Sequence, residues 1–390
     1  MVANVTRVNP KLIHELEKYG AQDVQNCYHC GNCSAVCPHA DEYFVFPRKS
    51  MRMLQMGLEK RIEASLEPWL CYYCGQCSTG CPRGAEPGET MMSLRRWLTS
   101  RYDFTGISRL FYRSWKAEAV VLVVVALLAA LGFLIFGFSQ GSIHHYDGEQ
   151  AFLPSASIHI FDWGMAAVLV VLLLINSIRM WWFTTGGNPR IRPKLGTYLK
   201  ALYQLPLQFF TQKEYARCGE RQPWLVHLAL MLGYVSMLVL IMFFLHGMQA
   251  GPEIRWRFHG VGYLASAGLL FGVLVAVIGR IRKSAPHVAH SHESDWLFLG
   301  MLLIVTVTGI VQHVLHRAGA AMAANLAYVV HLSLVVPMLL LEVPFGKWSH
   351  MVYRPLACYL AAVHRETLAR QRSSAAQGEQ VTADRRLAAA

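Results

Sequence analysis

Charged residues are scarce in this sequence: they make up 15% of its 390 residues, whereas hydrophobic residues make up 54%. From residue 117 onward the hydrophobic residues collect in runs of about twenty, the length that crosses a bilayer as a helix. This pattern excludes a wholly soluble protein and predicts an all-α fold with a six-helix transmembrane bundle. The six stretches lie at about 117–138, 160–183, 224–246, 259–281, 296–315 and 325–346.

Two further signals are missing from the chain. It contains neither a glycine-rich dinucleotide fingerprint nor a P-loop, so flavin and nucleotide chemistry must belong to partner proteins. Its first nineteen residues contain no apolar run of the kind that a cleavable signal peptide needs. We therefore expect the N-terminal part to stay in the cytoplasm.

The net charge of +12 could be taken as a sign of nucleic-acid binding, but the distribution of the basic residues argues against it. The 139–158 loop contains no Lys or Arg, and the later loops on that side contain only Arg255, Arg257 and Arg317, three of the 36 basic residues. Cytoplasmic loops of membrane proteins are enriched in Lys and Arg. We expect a multi-pass protein of the cytoplasmic (inner) membrane with both termini inside, and no nucleic-acid partner.

Eight of the ten cysteines form an internal repeat with a period of 44 residues. Each copy reads C-x2-C-x2-C-x3-C-P, and it begins at Cys27 and again at Cys71. Three thiolates at this spacing surround one 4Fe-4S cluster, while the fourth cysteine reaches the neighbouring cluster. Disulfides are disfavoured in a reducing cytoplasm, and structural zinc usually takes two separated cysteine pairs. The predicted ligands are Cys27, Cys30, Cys33 and Cys81 for one cluster, and Cys71, Cys74, Cys77 and Cys37 for the other.

The segment between the two motifs, residues 42–70, shows helical spacing of its apolar residues. With Pro47-Arg48, Pro68-Trp69-Leu70 and Arg83-Gly84, it resembles the α-helical ferredoxin of the heterodisulfide reductase C subunit. The resemblance implies an α-helical dicluster ferredoxin domain. The predicted domains are 1–115 for this cytoplasmic domain, 116–360 for the transmembrane haem domain and 361–390 for a mobile cytoplasmic tail.

Four histidines in the predicted bundle lie at matching depths. His227 and His246 on the third helix are nineteen residues apart, and so are His331 and His350 on the sixth. At about 1.5 Å per residue each pair spans about 28 Å, close to the hydrocarbon thickness. Because these helices run antiparallel, His227 is level with His350 on the inner side, and His246 with His331 on the outer side. Two stacked b-type haems fit this arrangement, with His313 as the alternative to His246.

The same region carries a second resemblance. His331, the run Glu342-Val-Pro-Phe-Gly-Lys347 and then His350 look like the last membrane helix of the nitrate reductase gamma family, to which the heterodisulfide reductase E subunit is similar. The resemblance implies that His331 and His350 each ligate one of two b haems. The family's second ligand on the earlier helix falls where this sequence has Met237.

The combination of these two parts resembles the membrane subunit of the quinone-interacting membrane-bound oxidoreductase complex. The resemblance implies menaquinone as substrate and two heterodisulfide reductase A-like flavoproteins as partners. It also implies electron exchange with adenylylsulfate reductase in sulfur metabolism. Two alternatives stay open: the membrane half of a heterodisulfide reductase, and a passive anchor with vacant haem sites.

Quinone chemistry moves protons as well as electrons, so ionisable residues in membrane segments are candidates for a quinone site. Three such residues stand out, namely Asp162, His159 and Glu342. Ordinary structural roles compete with this interpretation, because Asp162 can cap a helix and Glu342 has Lys347 and Arg354 as possible ion-pair partners. Separately, apolar residues at helical spacing over 194–210 predict an amphipathic helix on the cytoplasmic face of the membrane.

Overall fold

A computed structural model describes residues 7–145, 151–189, 191–249 and 254–388, without the side chains of 246, 249 and 378–388. Within these ranges the chain is nearly all helical and contains no β-strand. The predicted all-α class is therefore confirmed.

In the part of the chain that the structure describes, eight α-helices precede the first membrane span. They are α1 (Leu12–Glu17), α2 (Asn32–Ala35), α3 (Arg48–Gln55), α4 (Glu59–Glu63), α5 (Glu67–Leu70), α6 (Gln76–Thr79), α7 (Pro87–Tyr102) and α8 (Ile107–Arg113). The later helices are α9 (Trp115–Gln140), α10 (Ser155–Trp181), α11 (Leu195–Ala201), α12 (Gln204–Thr211), α13 (Gln222–Gln249), α14 (Trp256–Arg282), α15 (Glu293–Arg317), α16 (Ala321–Pro337), α17 (Val343–Phe345) and α18 (His350–Ala388).

Among the described residues, six helical segments are long and apolar enough to cross a membrane, as predicted. Each coincides with one predicted stretch to within about a helical turn. Two spans end in π-helical turns, at Trp182–Gly186 and Met338–Glu342, and α13 is interrupted at Phe244. The spans are Trp115–Gln140, Ser155–Gly186, Gln222–Leu245, Trp256–Arg282, Glu293–Arg317 and Ala321–Phe345.

The chain divides into two compact units that do not follow simple chain order. The first unit contains Met1–Leu98, Ser177–Arg217 and Met351–Ala390, and the second contains Thr99–Asn176 and Cys218–His350. The predicted domain boundaries and the mobility of the tail stay predictions. In the described residues α18 continues to Ala388.

The first unit is built around buried aromatic residues. The ring of Trp69 lies 5.0 Å from that of Tyr353 on α18, and both side chains are buried. Arg96 on α7 donates hydrogen bonds to the Tyr19 carbonyl at 2.8 Å and to Glu89 at 2.9 Å. Because a buried cation is costly unless it is paired, these contacts fix α7 against the N-terminal segment.

In the second unit, α13 and α14 approach each other closely through glycines. A Cβ atom at Gly233 would lie 2.7 Å from the Ala265 carbonyl oxygen, and one at Gly272 would lie 2.7 Å from the Leu230 Cβ atom. Small residues let membrane helices pack backbone to backbone, where van der Waals contact is the main attraction. The helix that carries His227 is therefore held firmly by its neighbour.

Candidate functional site

The two cysteine motifs fold into the same local structure. In the first, His29 and Gly31 have positive φ angles of 60° and 92°, and α2 follows. In the second, Tyr73 and Gly75 have φ angles of 54° and 83°, and α6 follows. Positive φ turns the chain sharply and is easiest for glycine. The sequence repeat is therefore also a repeat of backbone conformation.

Cys33 lies among three other motif cysteines. Burial raises the pKa of Cys33, and the thiols of Cys27, Cys30 and Cys81 raise it further. The neighbour from the second motif is Cys81, the fourth cysteine that the motif assigns to this cluster. The thiols of the first predicted cluster thus share one electrostatic environment.

In the second group of thiols, a cysteine of the first motif lies near cysteines of the second motif. Burial raises the pKa of Cys37 to about 11, and Cys71 and Cys74 also raise it. Burial likewise raises the pKa of Cys77, with further contributions from Cys71, Cys74 and Cys37. Cys33 also contributes to the pKa of Cys77, so the two groups of thiols lie close together, and the division of the eight cysteines into two ligand sets stays a prediction.

These thiols fit the chemistry of iron–sulfur clusters. The backbone N–H of Tyr73 donates to Cys71 Sγ and that of Ala85 to Cys81 Sγ, both at 3.4 Å. Crowded, buried thiolates are costly without a cation, and iron supplies that positive charge. A cubane cluster takes one thiolate at each of four irons. Among the described residues no three His, Cys, Asp or Glu side chains converge as they would around a single metal ion.

Two arginines position the loops of the second predicted cluster. Arg95 donates to the carbonyls of Pro68, at 2.5 Å, and of Cys71. Arg365 on α18 donates two hydrogen bonds to Asp41 Oδ2, at 3.0 and 2.8 Å. Asp41 Oδ1 also accepts the N–H groups of Tyr43 and Phe44 at 2.9 and 2.8 Å. These charge-assisted contacts fix the backbone on both sides of the cysteines.

The structure brings His227 and His350 together in the second unit. Their ring centres are 6.2 Å apart and their planes are inclined by 61°. A metal–imidazole bond of about 2 Å, with the ring centre about 1 Å farther, places two axial imidazoles about 6 Å apart. The Nδ1 atom of His350 hydrogen-bonds to the Lys347 carbonyl, a contact that orients the ring. The pair fits the two axial positions of a haem.

For the predicted outer haem site, the structure describes the surroundings of His331 but not a histidine paired with it. His331 Nδ1 lies 3.1 Å from Thr308 Oγ1, and a Cβ atom at Gly309 would lie 3.0 Å from His331 Cε1. The glycine thus makes room for this ring. The side chain of His246 lies outside the described residues. Its alternative, His313, has its Nε2 atom 3.0 Å from Tyr263 Oη.

The structure also draws attention to a histidine that the sequence had not distinguished. His259 is only 2% exposed, and its Nδ1 atom lies 3.1 Å from both the N–H and the carbonyl of Arg255. In the described part of the chain its buried Nε2 atom has no hydrogen-bond partner. The rings of His259 and His313 are 5.7 Å apart. Only the three-dimensional packing separates His259 from the other histidines on that side.

The three candidate quinone-site residues have different surroundings. Asp162 is buried, and the indole N–H of Trp163 donates to His159 Nε2 at 2.9 Å. Glu342 is 0% exposed and its carboxyl group faces that of Glu118, which is also 0% exposed.

Of the two suggested ion-pair partners of Glu342, Lys347 has its Nζ atom paired with Asp295 at 2.5 Å, and its backbone N–H contacts the Glu342 carboxyl group. Arg354, the other suggested partner, has its guanidinium 3.7 Å from the centre of the Tyr72 ring. Two carboxyl groups in contact share a proton, because both cannot be charged in a low-dielectric interior. Glu118 and Glu342 therefore form a proton-holding pair that spacing along the sequence did not reveal.

Comparison with known proteins bears on the iron–sulfur part of the chain and on its overall similarity to one relative. Residues 23–85 match a family model described as a 4Fe-4S dicluster domain, which confirms the predicted iron–sulfur domain. The chain is similar to the E subunit of the dihydromethanophenazine:CoB–CoM heterodisulfide reductase of Methanosarcina mazei. The two are 26% identical over 203 residues, which cover 47% of this chain and 74% of that protein. No solved structure matches the chain.

Proposed function

We propose that this chain is the membrane electron-transfer subunit of a respiratory oxidoreductase complex. The observation that carries the proposal is the presence of a dicluster iron–sulfur domain and a histidine pair at haem-ligand spacing in a chain with six membrane-spanning helices. When bound, two 4Fe-4S clusters and two b haems supply one-electron carriers. The chain's own residues hold these groups and set their surroundings.

The ligand assignments follow the predictions. The eight motif cysteines hold the two clusters in crossed sets, and His227 and His350 hold the inner haem. His331 holds the outer haem with His246 or His313, and its Thr308 contact orients the ring. Asp162, His159 and Glu342 are the candidate proton-handling groups for a quinone site in the membrane spans.

The partners follow from the resemblance to quinone-interacting complexes. Electrons would pass between menaquinone in the membrane and two heterodisulfide reductase A-like flavoproteins in the cytoplasm, in exchange with adenylylsulfate reductase. This assignment places both termini on the cytoplasmic side of the inner membrane, as the distribution of Lys and Arg favours.

A second candidate function is the membrane component of a heterodisulfide reductase-type complex. It is favoured by the similarity to the E subunit of such an enzyme over 74% of that protein's length. Both functions use the same chain as an electron carrier, and they differ in the soluble catalytic partner. Co-purification from native membranes, with identification of the partners by mass spectrometry, separates them.

A spectrum and an iron analysis of the purified chain test the proposal directly. We expect about eight non-haem irons per chain, from two four-iron clusters, and a b-type α-band in the reduced-minus-oxidised spectrum. If that band is missing, the membrane part binds no b haem and acts as a passive anchor. Zinc in place of iron would contradict the assignment of the cysteines.

A further inference from the structure

The first unit contains a cavity of about 290 Å³ beside the second predicted cluster. His39, which lines it, lies two residues after Cys37, and Tyr72, also in the lining, directly follows Cys71. Two residues of chain span at most about 7 Å. A molecule in the cavity would therefore lie within a short distance of that cluster's ligands.

One polar group in this cavity lacks a partner. Gln208 on α12 lines the cavity and is only 6% exposed. Its buried Oε1 atom has no hydrogen-bond partner among the described residues. An unsatisfied buried acceptor is costly and is usually explained by a molecule that donates to it. Gln204, one helical turn earlier, also lines the cavity.

The charged side chains that line the cavity form two ion pairs, while the guanidinium of Arg354, which is not in the lining, lies over the Tyr72 ring. Arg365 pairs with Asp41 at 2.8 Å, and Arg217 pairs with Glu214 at 2.8 Å. All four side chains line the cavity. Two cations neutralised by two carboxylates do not attract a further ion, so the cavity favours a neutral ligand.

Flat rings form one side of the cavity. The ring of Tyr72 lies 4.8 Å from that of His39, with the planes inclined by 32°. The ring of Tyr72 also lies 5.4 Å from the ring of Tyr215, with the planes inclined by 25°. The guanidinium of Arg354 covers a face of the Tyr72 ring at 3.7 Å, so a ligand ring in the cavity would meet the edge of this aromatic group, an arrangement that aromatic pairs also favour.

The helix that carries Gln208 presents apolar residues on its outer side. Phe210 on α12 and Leu199 on the preceding α11 are both exposed, and Leu195 is 75% exposed. Exposed apolar residues on short helices with basic flanks are typical of segments that lie in the membrane interface. A ligand dissolved in the membrane would thus meet this cavity next to a lipid-facing surface.

We propose that this cavity binds the ring of a lipid-soluble quinol, whose hydroxyl donates to Gln208 Oε1 while the ring packs beside Tyr72. The site is distinct from Asp162, His159 and Glu342 in the membrane spans. It rests on the proposed function, because a quinol beside a cluster is useful only to an electron carrier. The free acceptor on Gln208 favours the hydroxyl of a quinol over the carbonyl of a quinone.

Photoaffinity labelling of the full chain, with its clusters and haems and in liposomes, tests the site. The probe is an azido-naphthoquinol with a short isoprenoid tail, and labelled peptides are mapped by mass spectrometry. We expect label on peptides containing 204–217 or 39–43. Gln208→Leu should weaken labelling about five- to tenfold, the effect of one lost hydrogen bond, while the EPR signals of the clusters stay unchanged.

The matched control is Gln140→Leu, the same substitution at an exposed glutamine outside the cavity. It should label like the native chain. Should the leucine variant fail to assemble its clusters, Gln208→Asn tests the same point, because it keeps the amide but withdraws it by one methylene.

The possible outcomes separate this inference from the proposed function. Label confined to peptides containing 159–162 or 342, or undiminished label in the Gln208 variants, overturns the inference and leaves the electron carrier in place. The absence of label anywhere in a chain with intact clusters and haems contradicts both the site and the quinol as electron donor.

Discussion

Replacing Thr308 by valine removes the side-chain hydrogen bond that orients His331. Thr308 Oγ1 donates to the Ile304 carbonyl at 2.8 Å and lies 3.1 Å from His331 Nδ1. Because its own proton is donated to the carbonyl, the hydroxyl oxygen accepts a hydrogen bond from the Nδ1–H group of His331, which also contacts the Val305 carbonyl. That bond fixes the tautomer in which Nε2 carries the lone pair that a haem iron needs.

The size of the effect follows from the contact. Loss of a ligand's outer-shell partner typically lowers metal affinity by about ten- to hundredfold. Here the lost contact is one neutral hydrogen bond, worth about 0.5–1.5 kcal/mol net, which corresponds to about two- to thirteenfold. Valine keeps the volume of threonine, so little packing energy is lost. We therefore expect about tenfold weaker binding of the haem at His331.

The assay measures b-type absorbance per chain and a redox titration of the two haems, and it follows transfer of haem to an apoprotein acceptor. The matched control is Thr306→Val on the same helix, where a buried hydroxyl donates to the Leu302 carbonyl at 2.7 Å. Thr308→Val should release one haem faster and change one potential, while Thr306→Val should do neither. Identical behaviour of the two variants would refute the orienting role of Thr308.

Three further predictions concern the other centres. His227→Ala or His350→Ala should each remove one haem and leave the clusters intact by EPR; retention of both haems in both variants would disprove the pairing. Cys81→Ser should damage the cluster held by the first motif and spare the other, and damage confined to the second cluster would contradict the crossed ligation. Burial alone would raise the pKa of Asp41, but the N–H groups of Phe44 and Tyr43 and the Arg365 guanidinium lower it overall. Its contribution to stability is therefore present above the unfolded-state pKa of about 3.9 and is lost as the pH falls through the folded value. The difference in unfolding temperature between the native chain and Asp41→Asn should shrink below about pH 4, and a constant difference would refute this role.

The features that the sequence predicted well are those that depend on residues close together in the sequence. A run of about twenty apolar residues fixes a membrane helix whatever its neighbours are, and the spacing of three cysteines fixes a cluster loop. Depth in the membrane is also a linear quantity, because each residue advances a helix by about 1.5 Å. For that reason His227 and His350 could be paired before their ring distance of 6.2 Å was known.

Rotation about the helix axis is not fixed by depth, and it decides which side chains meet. Glu118 and Glu342 lie 224 positions apart, and nothing in their local sequence indicates that their carboxyl groups face each other. Gly346 contributes to this contact, since a Cβ atom there would collide with Glu342 Oε2. The isolation of the His259 Nε2 atom depends in the same way on what packs around it.

The buried polar groups that the sequence did not reveal share one physical property. Each has lost its hydrogen bonds to water on burial, and the described residues do not fully replace them. His259 Nε2 and Gln208 Oε1 are buried without a hydrogen-bond partner among the described residues, and the carboxyl groups of Glu118 and Glu342 are buried against each other. Each unsatisfied group destabilises the fold by about 1–3 kcal/mol, and such groups are usually found where a proton, metal or ligand can bind to them. Under the proposed function, these groups are where protons and quinol would bind, because the cysteines and histidines proposed as ligands handle only the electrons.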